Sequence, residues 1–442
     1  MGKTHEKNVY LFGLITLFID NPCTKEKYRK NPTNFTRDRK LPFKTIILIL
    51  LNMPKRTLSL ELHDFFAYLG KGSKNLLCKV TSSAFSQRRQ QLSPDVFPEI
   101  NHLLTNEYYT DNEERVKQWE GFRLIAIDGS KINLPFSEEL KAEYGWAKNQ
   151  NPLEDVVQAR ASVLYDVLNE MVIDAMLVPS KQGEITLAYK HVQQIKPGDL
   201  LLLDRGYPSF HLAFDILEKG ADFVFRCKPD FSNVTRNFIA SGKEEAIVEI
   251  TPKQNGSFKG LPYKANHRLK VRLIRILLDS GEIELLMTSL TDLEKYPYHC
   301  FKPLYFKRWR IETFYNRIKN ILAMENFSGL NSIAIQQDFH CAIFISNAQS
   351  LILNEAMPRV IDACKERKHE YKINVSVSLG LMKYRIIDIF IYNNTEKALR
   401  ILEEELITHL VPVKPNRSFP RDTEKYRKRT KPLMFKNRKK VI

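Results

Sequence analysis

Residues 199 to 203 read Asp-Leu-Leu-Leu-Leu, an unbroken apolar run with no polar residue after the first. A strand of this kind shows apolar groups on both faces, so the sheet it joins must be covered by helices on both sides. It leads directly into Asp204-Arg205-Gly206-Tyr207, a turn-forming stretch. Its neighbours follow the same plan. Phe122 to Ile127 is a compact apolar strand ending in Asp128-Gly129, and Ala159 to Val167 with Met171 to Val178 reads as a hairpin about Leu168-Asn169-Glu170. Ile185 to Ile195 and Ser209 to Lys219 read as helices, and Ala221 to Cys227 as a further strand. The order β, hairpin, α, β, α, β over residues 116–228 predicts an α/β fold, a mixed sheet flanked by helices.

The flanks have a different texture. Residues 1–115 read as a helical region, with apolar helical spacing at Leu41 to Leu51, Leu58 to Leu69 and Phe97 to Tyr108. Thr81 to Leu92 reads as a short capped helix bearing Gln87, Arg88, Arg89 and Gln91. Arg and Gln read base edges in a major groove bidentately, and a solvated helix surface has the same composition. Residues 229–299 alternate apolar and polar at Glu245 to Ile250, Leu269 to Leu278 and Glu282 to Leu290, which predicts a β-rich insertion with a turn at Asp279-Ser280-Gly281. A long helix, Lys302 to Met324, then returns the chain to the core over 300–345, a helical region follows over 346–413, and 414–442 is a basic tail.

Charge and cysteine content narrow the functional classes. The 442 residues hold 68 Lys+Arg against 51 Asp+Glu, a net charge of +17, which suits a polyanionic partner. Twelve of those cations against two acids lie in 414–442, so the tail holds +10 and the other residues +7. A tail this basic reads as a disordered arm. The six cysteines form no CxxC pair and have no histidine at zinc spacing, so reduced thiols, a cytoplasmic setting and no structural zinc are expected. Val9 to Ile19 is apolar behind Lys3 and Lys7, but Asp20-Asn21-Pro22 follows it instead of a cleavage site, so it reads as a buried helix. No run reaches the roughly 18 apolar residues that a bilayer span needs.

Three acidic positions are candidates for chemistry. Asp128 and Asp204 end apolar strands, and groups at strand carboxyl ends project into the ligand crevice of an open α/β sheet. On the long helix, Tyr305, Arg308, Glu312 and Lys319 fall within an arc of roughly 60° at about 100° per residue, with Phe314, Ile318, Ile321 and Leu322 on the opposite side. One face thus holds a carboxylate between two cations. An exposed helix with an Arg308–Glu312 pair has the same pattern.

Tyr305-x2-Arg308-x3-Glu312-x6-Lys319 matches the Y-R-E-K signature of a large group of bacterial insertion-sequence transposases. Asp128-Gly129-Ser130 and Asp204-Arg205-Gly206-Tyr207 resemble that group's two aspartate motifs, in order. The resemblance covers about residues 120 to 325. It implies a DDE transposase with an RNase H-like core that binds an element's terminal inverted repeats, cuts there and inserts the element into target DNA. It also implies Asp128, Asp204 and Glu312 as ligands of two Mg²⁺ ions, for which Mn²⁺ substitutes, with Asp128 bridging. Arg308 and Lys319 then grip phosphates, Tyr305 bonds a phosphate or positions the helix, and Arg205 acts at the DNA or fixes its turn. The partner is double-stranded DNA, with a homodimer in the synaptic complex, no membrane, and the helices after about residue 350 as contacts. An inactive DNA-binding descendant and a nuclease of the same core are the alternatives.

Other residues read as structural. Asp166 and Asp174 are expected at a solvated hairpin edge, Glu184 at a helix start where a carboxylate suits the dipole, and Glu138, Glu139 and Glu143 on an exposed face. Trp309 and Ile311 read as packing. Some relatives stack a flipped base on a Trp of the insertion, but the tryptophans here are Trp119, Trp146 and Trp309. Phe258 and Tyr263 are the aromatic substitutes available in that segment.

Overall fold

The computed structural model describes residues 3–37, 40–52, 56–70, 80–110, 115–147, 156–252, 261–391 and 394–414. The tail beyond 414 and Phe258 lie outside the described residues. Nine strands make one mixed sheet: β1 (Arg123–Asn133), β2 (Trp146–Ala147), β3 (Val156–Asp166), β4 (Met171–Pro179), β5 (Asp199–Leu203), β6 (Asp222–Cys227), β7 (Glu245–Ile250), β8 (Leu269–Leu277) and β9 (Ile283–Thr288). The order is β3-β1-β5-β6-β9-β8-β7, with β2 and β4 both pairing β3. β3 runs antiparallel to β1, and β1, β5 and β6 are parallel. This core, β4-β3-β1-β5-β6 with β3 reversed, is the RNase H-like arrangement that the sequence motifs imply.

All five residues of β5 are buried, as its apolar run requires. Its side chains alternate between two layers. Leu201 and Leu203 join Ile125 and Ile127 under the helices Glu184–His191 and Phe210–Glu218. Leu200 and Leu202 join Leu124 and Ala126 on the other face, with Phe314 and Ile318 from the segment after Phe301. At the start of the parallel pair, Arg123 Nε and Nη2 donate to Asp199 Oδ1 and Oδ2, each at 2.7 Å, which satisfies two buried charges together.

The strands expected as an insertion extend this sheet: β9 pairs β6 antiparallel, from Val224↔Thr288 to Cys227↔Leu285, and β8 and β7 follow outward. The two helical regions also share one core. The Lys3–Asp20 helix buries Leu11, Phe12, Ile15 and Ile19, and Phe12 meets Phe390 edge-on with ring centroids 6.0 Å apart. His5 Nδ1 lies 3.2 Å from Glu403 Oε1, and Lys383 Nζ donates to Glu61 Oε2 at 2.7 Å. Among the described residues no helix is long and apolar enough to cross a membrane.

Several expectations are corrected here. Asp166 is buried, not a solvated edge residue: it accepts from the N–H groups of Leu168 and Asn169 and from Tyr109 Oη, and so builds the hairpin turn. Asp174 pairs with His191 Nδ1 at 2.7 Å. The long helix is not uniform. It runs as α-helix over Phe301–Phe306, as 3₁₀ over Lys307–Trp309, as α again over Arg310–Asn316, and as a π turn over Arg317–Ile321. Each change of pitch shifts the angular phase, so Tyr305 and Arg308 are buried and Ile321 is exposed, contrary to a constant 100° wheel.

Burial gives this fold an acid sensitivity. Desolvation holds the His340 imidazole down to about 4, with His102 adding to the effect and Asp174 and Asp95 opposing it. Between about 4 and the ordinary 6.5 the unfolded chain binds the extra proton, so stability is lost as pH falls through that window. His340→Gln is expected to flatten the decline in melting temperature between pH 6.5 and 4.5; a decline as steep as in the wild type would contradict this.

Candidate active site

β1 is longer than its sequence pattern predicts. The hairpin strand supports it as far as Asn133↔Gln158, whereas β5 pairs with it only up to Ala126↔Leu202. Asp128 therefore lies within the strand and not at its end. It still faces the crevice, because two residues beyond the last parallel pair are Asp128 on one strand and Asp204 just past the other. Asp204 Oδ1 accepts the Arg205 N–H at 2.7 Å, and its carbonyl accepts the Tyr207 N–H at 3.0 Å, which closes the expected turn.

The third element is the segment after Phe301, which packs on the even-numbered face of β1. Tyr315 Oη donates to the Asp128 carbonyl at 2.9 Å, and Tyr305 Oη donates to the Leu203 carbonyl at 3.3 Å. These two bonds fix the segment against the backbone at both aspartates. Tyr305 is 2% exposed, with its hydroxyl taken up by the Leu203 carbonyl.

Arg308 sits at the centre. It is 2% exposed, lies beneath the Tyr305 and Trp309 rings, and donates from Nη2 to Glu312 Oε1 at 3.0 Å. Burial works against its charge, but Tyr305, Asp204 and Glu312 outweigh this, so its pKa lies above the ordinary guanidinium value. Asp128 shows the opposite balance. Burial pushes its carboxyl up to about 6; the Gly129 N–H and Arg308 pull it down, and the carboxylates of Glu312 and Glu184 add to the rise. One guanidinium thus bonds Glu312 and acts through space on Asp128 and Asp204.

Lys319 and Arg205 lie nearby. Lys319 Nζ reaches back over β1, to Ser130 Oγ at 2.7 Å and the Lys131 carbonyl at 2.6 Å, and burial lowers its pKa. The Arg205 side chain is exposed beside Asp204.

Arg88 and Arg89 are a correction. Arg89 is 1% exposed and bonds Gln337 Oε1 at 2.8 Å, Ser328 Oγ at 2.6 Å, the Ala334 carbonyl at 3.2 Å and Asp338 Oδ1 at 2.8 Å. Arg88 donates to the Leu41 carbonyl and Gln91 Oε1 and stacks 4.2 Å from the Phe35 ring. Both hold the short helix to its neighbours, so they do not form a base-reading surface. Tyr263 is corrected likewise: it is 6% exposed among Phe210, Phe214 and His211.

Sequence reasoning missed the residues around this centre. Arg226 on β6 lies 3.9 Å from Asp204 Oδ1 and bonds Glu284 Oε1 on β9 at 3.1 Å. The Glu284 carboxyl is raised by burial, against Arg226 and Arg308. Glu184, expected as a helix-start residue only, lies against Gly129. The signal for Glu284 was present: its alternating strand carries a carboxylate on the face that the sheet extension buries.

Among the described residues no three acidic, histidine or cysteine side chains stand close enough to cage a metal ion. Glu312 is turned onto Arg308, and a closed set requires it to swing away. The donors do fit a hard divalent cation, since all are carboxylate oxygens, and a cation beside Asp128 offsets the burial and, after it, the like charges that raise its pKa.

Asp128 and Asp204 each lie two residues past the last paired position of the parallel strands, and the helix bearing Glu312 packs beside them, as the sequence motifs lead one to expect. Residues 119–348 match the family model described as "Transposase DDE domain". The chain belongs to this family, and with it to the DNA transposases. The family depends on divalent metal ions for DNA cleavage and strand transfer. The chain is 22% identical over 307 residues to the transposase InsG for insertion sequence element IS4 of Escherichia coli K12, covering 69% of this chain and 68% of that one. It is 25% identical over 228 residues to InsZ of the same strain, covering 51% of this chain and 73% of that one. Among solved structures, a piggyBac transposase synaptic complex with hairpin DNA is similar over 97% of this chain and 87% of that one, with a TM-score of 0.43 and 10% identity.

Proposed function

We propose that the chain binds the terminal inverted repeats of an insertion sequence as double-stranded DNA, cuts at their ends and joins them to target DNA, acting as a homodimer in a synaptic complex. Asp128, Asp204 and Glu312 hold two Mg²⁺ ions, for which Mn²⁺ substitutes. When bound, these ions lower the pKa of the attacking water or 3′-hydroxyl and stabilise the leaving oxygen. The work is cytoplasmic, on the nucleoid when DNA is bound. The observation that carries this reading is that Asp128 and Asp204 lie two residues past the last paired position of adjacent parallel strands, where Tyr315 and Tyr305 dock the Glu312 segment on their backbone.

The residues divide the task. Asp128 and Asp204 orient their oxygens from backbone that Tyr315 and Tyr305 hold in place. Arg308 neutralises the carboxylates while the site is metal-free. With Glu312 turned to hold a cation, the Arg308 guanidinium would be left to pair with a phosphate beside the scissile bond. Lys319, which secures β1 past Asp128 through Ser130 and the Lys131 carbonyl, pairs with a phosphate of the bound DNA. Arg205, exposed at the crevice, contacts the flanking DNA. No side chain serves as a covalent nucleophile.

The test is a duplex bearing the repeats that flank the gene, incubated with Mg²⁺ and a supercoiled target plasmid. Cleavage at the repeat ends followed by joining is expected. Scattered nicking without joining would instead mark a nuclease, and binding without cutting an inactive descendant.

A further inference from the structure

Glu184 begins the helix that covers the odd-numbered face of β1, the face opposite the Glu312 segment. Gly129 belongs to that odd face, while Asp128 points to the other. A Cβ at position 129 would stand 3.1 Å from Glu184 Cγ and 3.3 Å from Oε1. The missing side chain is therefore what admits the Glu184 carboxylate against the strand, at the level where β5 no longer pairs with β1. On β3, Arg160 Nη1 bonds Glu184 Oε1 at 2.7 Å and steadies it there.

A second observation points to a ligand in the same place. Tyr207, three residues past Asp204, is 2% exposed, and its hydroxyl has no hydrogen-bond partner among the described residues. Its charged neighbours are Asp128, Glu184, Arg160 and Asp204. A buried hydroxyl without a partner is costly, and the three acidic groups near it define the chemistry it can meet: an oxygen ligand that accepts its hydrogen bond.

We propose that Glu184 supplies a fourth carboxylate to the divalent-cation site of Asp128, approaching it from the opposite layer of the fold, and that the Tyr207 hydroxyl donates to an oxygen ligand of that cation. This rests on the metal-ion reading of Asp128 above. Glu184 adds a hard oxygen and a negative charge, both of which favour Mg²⁺ or Mn²⁺. Its helix lies in a different layer from Glu312, so cation binding ties the two layers together across β1.

The experiment is Mn²⁺ binding to the metal-free full-length chain, read by electron paramagnetic resonance, for the wild type, Asp128→Asn, Glu184→Gln and Tyr207→Phe. Glutamine can still bond Arg160, and phenylalanine keeps the buried ring, so both folds are expected to survive, as their metal-free melting curves would show. Glu184→Gln is expected to raise the apparent Kd by about tenfold or more, and Tyr207→Phe by a smaller factor. Wild-type affinity in both variants, with binding lost in Asp128→Asn, would overturn the role of Glu184 and Tyr207 alone. Unchanged binding in Asp128→Asn as well would overturn the metal-ion reading beneath it.

Discussion

Asp128→Asn is expected to lower the rate of repeat-end cleavage by about a thousandfold or more while raising the melting temperature of the metal-free protein. Loss of a metal-held carboxylate removes several kcal/mol of transition-state stabilisation, and about 1.4 kcal/mol corresponds to tenfold in rate. The stability effect has the opposite sign because the native carboxyl is raised to about 6 by burial and neighbouring carboxylates. Between about pH 4 and 6 the folded state binds the proton more tightly than the unfolded chain does, so stability falls as pH rises through that window. At pH 7.5 the ionised Asp128 is therefore a cost to the metal-free fold, and the neutral amide relieves it. The same variant is expected to lose the rise in melting temperature that Mg²⁺ gives the wild type. Cleavage kinetics and melting curves with and without Mg²⁺ check all three expectations.

The largest stability effect is expected at Arg89. Its guanidinium makes four hydrogen bonds that tie the Ser82–Arg89 helix to the Ser332–Ala363 helix and the loop before it. Arg89→Met fills similar space but leaves Gln337, Asp338 and the Ala334 carbonyl short of a donor. Breaking such a pair by removing one partner costs about 3–5 kcal/mol. DNA binding distinguishes this structural role from a groove-reading one. If Arg89 is structural, the folded variant keeps the wild-type dependence of affinity on salt; a phosphate-contacting arginine would lower that slope by about one. Denaturant melts and a salt series of binding measurements give both quantities.

The core was legible because its signals are local. An all-leucine strand has one physical home, and β5 lies where the sequence places it, from Asp199 to Leu203. The Leu58–Leu69 helix also keeps its expected bounds. The length of β1 was not legible, because Gly129, Ser130 and Lys131 look like a turn until the β3 partner supports them across the hairpin. The segment after Phe301 misled for a related reason. A wheel assumes one pitch, and with the 3₁₀ and π turns there Tyr305 is buried and Ile321 is exposed, while Arg308 keeps its place beside Glu312.

The site divides along the same line. Asp128, Asp204 and Glu312 stand out by strand context and motif spacing, and the fold brings their elements together. Glu184 and Arg226 carry no local mark, since each gains its position from a neighbouring strand or layer, and Glu284 carries only the alternation of its strand. The tertiary fold also reassigns Arg88 and Arg89: a helix with two arginines and two glutamines looks the same in sequence whether it faces DNA or another helix.

The most direct test of the account is Mg²⁺-dependent cleavage of a duplex carrying the flanking repeats by the wild type and by Glu312→Gln, with DNA binding measured in parallel. Glutamine still accepts from Arg308 but is a far weaker metal ligand. The account predicts cutting at the repeat ends by the wild type, and binding without cutting by the variant. Equal cutting by both proteins would contradict the assignment of Glu312 to the metal site, and with it the centre built on Asp128 and Asp204.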